Sequence, residues 1–187
     1  MPIYLVRHGE TQWTLSGRHT GRTDIPLSPR GEEQAGHLRD RLASVDFDRV
    51  VVSPMLRARQ TADLAGLGER AEVATDLREY DYGDFEGLTR DQIEAAWPGW
   101  DLWRDGCPGG ESPQEVLRRA RRLLKELGLH GSRDSALFGH GHILRAVAAA
   151  YLEQEVGICR HLVVPVASVS VLGAEHSVPA IVSWGVE

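Results

Sequence analysis

Short apolar runs rich in β-branched residues alternate with helical patterns along most of this chain. Such alternation is typical of a largely parallel sheet covered by helices, because a crossover must return the chain to the same end of the sheet after each parallel strand. We therefore predict an α/β fold. The predicted strands are Ile3–Val6, Arg49–Ser53, Glu72–Ala74, Ser135–Phe138, Ser168–Leu172 and Ala180–Trp184.

Capping residues indicate where the predicted helices begin. The dipeptides Ser28-Pro29 and Ser53-Pro54 each place a hydroxyl before a proline, the residue favoured at the first helical position. Capping boxes begin at Thr89 and Ser112, each followed three residues later by Gln or Glu. The helix after Ser112 has one apolar stripe, and we expect solvent on the opposite face. That face mostly carries Arg118, Arg119, Arg121 and Arg122.

Three polar, glycine-rich segments separate the predicted elements: Arg7–Ser28, Asp76–Leu88 and Trp97–Glu111. In α/β sheets, ligands bind in the crevice outside the carboxyl ends of the strands. We therefore expect these three segments to build the functional site.

The length of 187 residues fits a single domain spanning residues 1–187. No apolar run approaches the roughly 20 residues that span a bilayer, and the first residues lack the basic leader of a signal peptide. Cys107 and Cys159 are too few for a disulfide framework, so we expect two unpaired thiols. These features predict a cytoplasmic protein with no membrane partner.

The charged residues limit the kind of partner that this chain can bind. The net charge of −6 argues against a broad nucleic-acid surface. Lys125 is the only lysine among 21 basic residues, so a cationic pocket in this protein must be built from arginine and histidine.

Charged residues follow three of the predicted strands at the point where each strand ends. Arg7 and His8 follow the first strand, and His140, bracketed by glycines, follows the fourth. Arg57 lies in the first turn of the helix after the second strand, where free N–H groups favour an anion. Guanidinium and imidazole N–H groups match the oxygens of a phosphate. We therefore expect these four side chains to form a phosphate site at one edge of the sheet.

An acidic segment near the middle of the chain offers several candidates for a proton donor. Its members are Asp76, Glu79, Asp81, Asp84 and Glu86. The residues alone do not choose between them.

The segment His140-Gly141-His142 also invites a metal-binding interpretation, with Glu79 as a third ligand. Two histidines two residues apart in such a turn point away from each other, and neither cysteine has ligand spacing. We expect no metal and no cofactor, and we expect His142 to lie on the substrate side of the site.

The segment Arg7-His8-Gly9-Glu10-Thr11 resembles the signature of the histidine phosphatase superfamily, also called phosphoglycerate mutase-like. The other matching segments, in the order that the family has, are Thr20-Gly21-x-x-Asp24-x-x-Leu27-Ser28, Ser53–Ala62, Glu79-x-x-x-Gly83-x-x-Glu86-Gly87 and His140-Gly141. This ordered set spans essentially the whole chain and is far more specific than one motif. The resemblance implies a three-layer α/β/α sandwich around a mixed, mostly parallel sheet.

The resemblance also implies roles for the site residues. The histidine matching His8 attacks phosphorus and becomes a phosphohistidine. The positions matching Arg7, Arg57 and His140 bind the phosphoryl oxygens, and the glutamate matching Glu79 protonates the leaving oxygen. These roles are physically reasonable, because neighbouring arginines keep a histidine neutral and fixed cations stabilise the charge on the transferring group.

Departures from the mutase pattern favour a phosphatase. Mutase-like members usually have Asn at the positions of Thr14 and His142, and a basic stretch that binds a second phosphate. The corresponding stretch here, Asp91–Pro108, offers only Arg104. We predict a metal-independent phosphomonoester hydrolase acting through a phosphohistidine on a small phosphorylated metabolite, such as a sugar phosphate or bisphosphate. The alternatives are a phosphoglycerate mutase and a non-catalytic phosphoprotein-binding module.

Further segments are similar to acid phosphatases and to sedoheptulose-bisphosphatase-like members: Glu79–Gly83, Trp103–Cys107 and Gly139–Arg145. In the latter group, positions matching Arg145 and His176 contact substrate. The expected substrate-binding residues are Thr14, Thr20, Gly21, Tyr82, Gly141, His142, Arg145 and His176.

Overall fold

One mixed sheet of six strands runs through the protein, which a computed structural model describes over residues 2–128 and 134–187. The strands are β1 (Ile3–Arg7), β2 (Arg49–Val52), β3 (Ala71–Val73), β4 (Ser135–Gly139), β5 (Val169–Glu175) and β6 (Val178–Val186). Their order across the sheet is β3-β2-β4-β1-β5-β6. The first four strands are parallel, whereas β5 runs antiparallel to β1 and β6 runs antiparallel to β5. All six predicted strands are therefore confirmed, with small shifts of their ends.

Seven α-helices and four short 3₁₀ helices are present in the described part of the chain. The α-helices are α1 (Gln12–Leu15), α2 (Pro29–Leu42), α3 (Leu56–Leu64), α4 (Arg90–Ala96), α5 (Leu102–Asp105), α6 (Pro113–Glu126) and α7 (Gly141–Tyr151). The 3₁₀ helices are Gly68–Arg70, Thr75–Leu77, Gly83–Phe85 and Val156–His161. Three of the predicted caps are confirmed, because the side chains of Ser28, Thr89 and Ser112 accept hydrogen bonds from the first turns of α2, α4 and α6.

The sheet has a separate hydrophobic core on each face. Alternate side chains of a strand point to opposite faces, so neighbours such as Leu137 and Phe138 enter different cores. Helices α6 and α7 cover the face that Leu137 enters, and α2 and α3 cover the other. This arrangement confirms the predicted three-layer α/β/α sandwich.

The predicted helix cap at Ser53 is wrong. Helix α3 begins at Leu56, and its cap residue, Met55, makes no side-chain hydrogen bond. The N–H of Leu56 donates to Oδ1 of Asp24 at 2.7 Å, so a carboxylate from another loop satisfies it. Ser53 is fully buried at the end of β2, and its hydroxyl lies 2.8 Å from Nε2 of His140.

All three polar, glycine-rich segments contain short helices, and in Asp76–Leu88 this is the 3₁₀ helix Gly83–Phe85. Helix α1 lies within Arg7–Ser28, and α5 lies within Trp97–Glu111. Trp100 and Trp103 are buried, so the last of these segments packs against the core and does not project into solvent.

The carboxyl ends of β1, β2 and β4 lie side by side. The register pairs Arg7 of β1 with Gly139 of β4, and Val52 of β2 with Phe138 of β4. The residues that follow these strands therefore meet at one edge of the sheet. No helix in the described ranges is long and apolar enough to cross a membrane.

Candidate active site

His8, Arg57 and His140 come together at this edge of the sheet, as the sequence predicts. His8 follows β1, His140 follows β4, and Arg57 lies in the first turn of α3. The ring centroids of the two histidines are 5.1 Å apart, and all three side chains are buried.

The hydrogen bonding of His8 leaves one ring nitrogen free to react. Nδ1 lies 2.7 Å from the carbonyl oxygen of Gly9, and because a carbonyl only accepts, Nδ1 must carry the proton. In the neutral ring the lone pair is then on Nε2. Burial lowers the pKa of His8 well below its ordinary value, and the charges of Arg57 and Arg7 add to this effect. The imidazole of His8 is therefore neutral and held in one orientation, with a lone pair on Nε2.

Arg57 and His140 hold each other beneath His8. Nε of Arg57 donates to Nδ1 of His140 at 3.1 Å, and the other guanidinium nitrogens donate to backbone carbonyls in residues 20–23. Since Nδ1 of His140 accepts, the proton of the neutral ring is on Nε2 and is donated to Ser53. Burial, followed by the charge of Arg57, lowers the pKa of His140 well below its ordinary value.

Glu79 is the acid that shares a cavity with His8. Its carboxylate accepts hydrogen bonds from the backbone N–H groups of His142 and Ile143 in the first turn of α7, at 2.9 to 3.1 Å. The helix N-terminus is a favourable place for a carboxylate. Glu79 therefore lies in a fixed position.

The other acidic candidates are engaged elsewhere or exposed. Asp76 pairs with Arg122, and Asp81 pairs with Arg22. The carboxylate of Glu86 accepts from backbone N–H groups of the loop after α1, and Asp84 is exposed. The tertiary structure thus separates Glu79 from four neighbours that the residues alone left equivalent.

A cavity of about 190 Å³ opens above His8. Nine of the residues that we expected in the site line it: Arg7, His8, Thr14, Thr20, Glu79, Tyr82, Gly141, His142 and Arg145. Gly17, Arg18 and His19 also line it and were not expected. Arg57 and His140 are buried beneath the cavity and do not line it.

Two arginines in the cavity wall have a buried N–H group without a protein partner. Nε of Arg7 and Nε of Arg145 are both buried and make no hydrogen bond within the described residues. Such groups are rare in proteins and are costly to leave unpaired. A ligand that brings anionic oxygens into the cavity can satisfy them.

Gly141 allows Arg7 to take this position. A Cβ atom built on Gly141 would lie 3.4 Å from Cζ of Arg7, so the guanidinium already touches the helix start. Gly141 therefore lines the cavity through its backbone.

Two expected substrate-binding residues do not reach the cavity. Gly21 packs against the backbone of Tyr80, where an added Cβ would lie only 2.6 Å from the carbonyl oxygen. His176 lies in the turn between β5 and β6. Because β5 is antiparallel to β1 and begins beside the end of β1, that turn lies at the opposite edge of the sheet from His8. The prediction for His176 is wrong.

Arg119 also departs from expectation, since its side chain is only 12% exposed and not solvated. It donates to both carboxylate oxygens of Glu111 and to the carbonyl oxygens of Asp76, Arg78 and Glu79. It therefore clamps the loop that carries Glu79. Its place in a run of four arginines concealed this function.

The described part of the chain holds no cluster of metal ligands, and both of its thiols are buried. In residues 2–128 and 134–187 no group of three or more His, Cys, Asp and Glu side chains could hold a metal ion. Cys107 and Cys159 are both free and buried, and burial raises the pKa of each thiol to about 12.

Residues 3–187 match the family model of the histidine phosphatase superfamily, branch 1. The chain belongs to this superfamily. An acid phosphatase of Mycobacterium tuberculosis is 40% identical over 179 residues, which are 94% of this chain and 88% of that protein. Sedoheptulose 1,7-bisphosphatase of Saccharomyces cerevisiae is 38% identical over 178 residues, 79% of this chain and 66% of that protein. The resemblance to these two groups is thereby confirmed.

A solved structure agrees with the predicted architecture. The mycobacterial glucosyl-3-phosphoglycerate phosphatase superimposes with a TM-score of 0.88 at 32% identity, over 100% of this chain and 99% of that one. This match covers both the sheet and the loops that carry the cavity.

Proposed function

We propose that this protein hydrolyses phosphate monoesters of small metabolites through a phosphohistidine on His8. The observation that supports this most directly is the state of His8, which is neutral and presents Nε2 to a cavity walled by guanidinium groups. A neutral imidazole is a good nucleophile, and the cations attract the phosphate without protonating the ring.

The reaction proceeds in two displacements at phosphorus. Nε2 of His8 forms a bond to phosphorus while the bond to the ester oxygen breaks, and Glu79 gives its proton to that oxygen. Water then attacks the phosphohistidine, Glu79 takes a proton from the water, and inorganic phosphate leaves. At the end His8 is neutral again and Glu79 is protonated, so the cycle closes.

Fixed positive charge lowers the barrier of both steps. Arg7 lines the cavity, and the buried guanidinium of Arg57 is bonded to His140, whose ring centroid is 5.1 Å from that of His8. Such groups stabilise the charge on the equatorial oxygens of the phosphoryl group without having to reorganise. His140 acts on Arg57 in this arrangement, since both of its ring nitrogens already have protein partners.

The substrate is a small phosphorylated metabolite, and we propose a sugar phosphate. The cavity is small, and the relatives include a sugar bisphosphatase and a glucosyl-phosphoglycerate phosphatase. Thr14, Thr20, Tyr82 and Arg145 supply the polar wall that such a substrate requires.

Labelling of the enzyme tests the nucleophile. Protein quenched during turnover of a ³²P-labelled monoester should carry label that acid removes and base does not, located on His8. His8→Ala should carry no label and should not turn over, whereas His19→Asn, which changes another histidine of the cavity, should still be labelled. Label on a serine, or label that survives in His8→Ala, would exclude this mechanism.

The fate of the label separates a phosphatase from a mutase. Labelled enzyme mixed with unlabelled phosphoglycerate should release its label as inorganic phosphate. Transfer of most of the label to phosphoglycerate would instead identify a mutase.

We also infer that the reaction requires no divalent metal, because arginine and histidine supply the charge. Activity should be unchanged in excess EDTA. Loss of activity that Mg²⁺ or Zn²⁺ restores would contradict this inference.

A further inference from the structure

The hydroxyl of Tyr82 lies 2.5 Å from Nδ1 of His142, and both residues line the cavity. Tyr82 is 2% exposed, and its hydroxyl contacts no other acceptor in the described part of the chain. If Nδ1 carried a proton, the phenol proton would be buried without an acceptor. The phenol therefore donates, and Nδ1 of His142 accepts.

The surroundings keep both partners in these protonation states. Burial raises the pKa of Tyr82 well above its ordinary value, and the negative charge of Glu79 adds to this effect. Burial lowers the pKa of His142 well below its ordinary value, and the charge of Arg145 adds to this effect. A neutral His142 whose Nδ1 accepts must carry its proton on Nε2.

The ring of His142 is also held in position. Trp103 meets it edge-on at 5.6 Å between centroids, and His19 lies parallel to it at 6.5 Å. About 23% of the side chain remains exposed, and Nε2 has no hydrogen-bond partner in the described ranges. Its N–H is therefore a free donor on a side chain that lines the cavity.

Nδ1 of His142 lies 3.8 Å from Oε2 of Glu79, so the imidazole is next to the proposed proton donor. A group beside that proton donor meets the leaving part of the substrate, not the transferred phosphoryl group. We propose that Nε2–H of His142 donates a hydrogen bond to a hydroxyl of the leaving group, and that Tyr82 is a positioning residue that fixes the required tautomer. The enzyme then prefers monoesters of polyols over monoesters of plain alcohols. This inference rests on the proposed function.

The tautomer is tested directly by ¹⁵N–¹H NMR of the imidazole nitrogens, with His142 assigned from the spectrum of His142→Gln. His142 should have a protonated Nε2 and an unprotonated Nδ1. Tyr82→Phe should shift the signals toward a mixture of the two tautomers. A protonated Nδ1 in the unmodified protein would overturn the inference.

Tyr80→Phe is a matched control for Tyr82→Phe. The two rings stack at 5.7 Å, but the hydroxyl of Tyr80 is buried and has no hydrogen-bond partner among the described residues. Loss of that hydroxyl should leave the NMR signals of His142 in place. An equal change in both variants would mean that the effect is general packing and not the hydrogen bond.

Specificity is tested with glycerol 1-phosphate and propyl phosphate, which differ only in two hydroxyls. The ratio of their kcat/KM values should favour glycerol 1-phosphate and should fall roughly three- to tenfold in His142→Ala, as expected for one hydrogen bond. Tyr82→Phe should lower the ratio in part, and Tyr80→Phe should not. His142→Gln should restore it, since its amide N–H can replace Nε2–H.

The outcomes separate this inference from the proposed function. An unchanged ratio in His142→Ala, with both esters hydrolysed, would overturn only the role of His142. If the unmodified protein hydrolyses neither ester nor p-nitrophenyl phosphate, the proposed function fails, and the proposed contact to substrate fails with it.

Discussion

Arg57 donates from Nε to Nδ1 of His140 at 3.1 Å, so a buried cation is held by a neutral ring. Its other hydrogen bonds go to backbone carbonyl oxygens. None of these partners carries a charge, so the positive charge of Arg57 is not cancelled by direct pairing. In the proposed mechanism it is available to the phosphoryl group on His8, whose ring centroid is 5.1 Å from that of His140.

Replacement of Arg57 should therefore impair catalysis strongly. Arg57→Ala should lower kcat/KM by roughly 10²–10³, as expected when one preorganised charge is removed from a developing oxyanion. Arg59→Ala is the matched control, because Arg59 is exposed on the same helix. A loss of less than tenfold in Arg57→Ala, measured by steady-state kinetics, would remove Arg57 from the proposed mechanism.

Glu79→Gln should slow alkyl phosphates much more than aryl phosphates. An alkoxide needs a proton as it leaves, whereas p-nitrophenolate does not. In the proposed mechanism Glu79 also activates water in the second step, so phosphoenzyme should accumulate with the aryl substrate. Rapid-quench measurements with both substrate classes test this expectation.

Asp81→Asn and Asp84→Asn are the controls for Glu79→Gln. In neither variant should the change in hydrolysis rate depend on the leaving group. Asp81 is paired with Arg22, and Asp84 is exposed. An equal loss for alkyl and aryl substrates in Glu79→Gln would place the proton donor elsewhere.

Removal of the Arg119 side chain should loosen the loop that carries Glu79. Arg119→Ala leaves the carboxylate of Glu111 and several carbonyl oxygens without their donor, so the free energy of unfolding should fall by about 2–4 kcal/mol. The value of kcat should fall as well, because Glu79 loses its fixed position. Urea titration and steady-state kinetics measure the two effects.

Arg118→Ala gives the comparison for Arg119, since Arg118 is the preceding residue of α6 and is exposed. It should change neither stability nor kcat appreciably. If Arg119→Ala changes the free energy of unfolding and kcat no more than Arg118→Ala does, the contacts of Arg119 do not hold the loop of Glu79 in solution.

Stability should decrease as the pH falls below about 6.5, the ordinary pKa of histidine. His8, His140 and His142 all have pKa values lowered mainly by burial, so the unfolded chain binds more protons than the folded one in this range. Their stabilising contribution is complete above the unfolded pKa and is lost as pH falls toward the folded values. Each such group contributes up to about 1.4 kcal/mol per pH unit.

His8→Asn should reduce the slope of the unfolding free energy against pH, by the amount that corresponds to about one bound proton. Denaturant titrations between pH 5 and pH 7.5 measure the slope. His37→Asn, at an exposed position of α2, is the control and should keep the slope of the unmodified protein. An unchanged slope in His8→Asn would show that His8 does not resist protonation in the fold.

The sequence alone determined the strands, three of the four predicted caps and the residues that meet at the edge of the sheet. These features depend on local patterns. A short apolar run between polar segments, such as Ser135–Phe138, favours a buried strand, and a hydroxyl before Pro29 or Pro113 satisfies N–H groups within three residues. The positions of His8 and His140 could be predicted from the sequence for the same reason, because a residue directly after a parallel strand must lie at its carboxyl end.

The resemblance pointed to Glu79, but only the tertiary structure shows that this acid shares the cavity with His8, what Arg119 and Ser53 contact, and where His176 lies. Each of these depends on a partner far away in the chain: Glu79 on the first turn of α7, Ser53 on His140, and Arg119 on the loop before it. His176 was assigned to the site through the resemblance, but β5 runs antiparallel to β1 and carries it away from His8, and strand direction leaves no local signal in a sequence. Side-chain type and periodicity encode which elements form, but contacts between distant segments arise only when those elements pack.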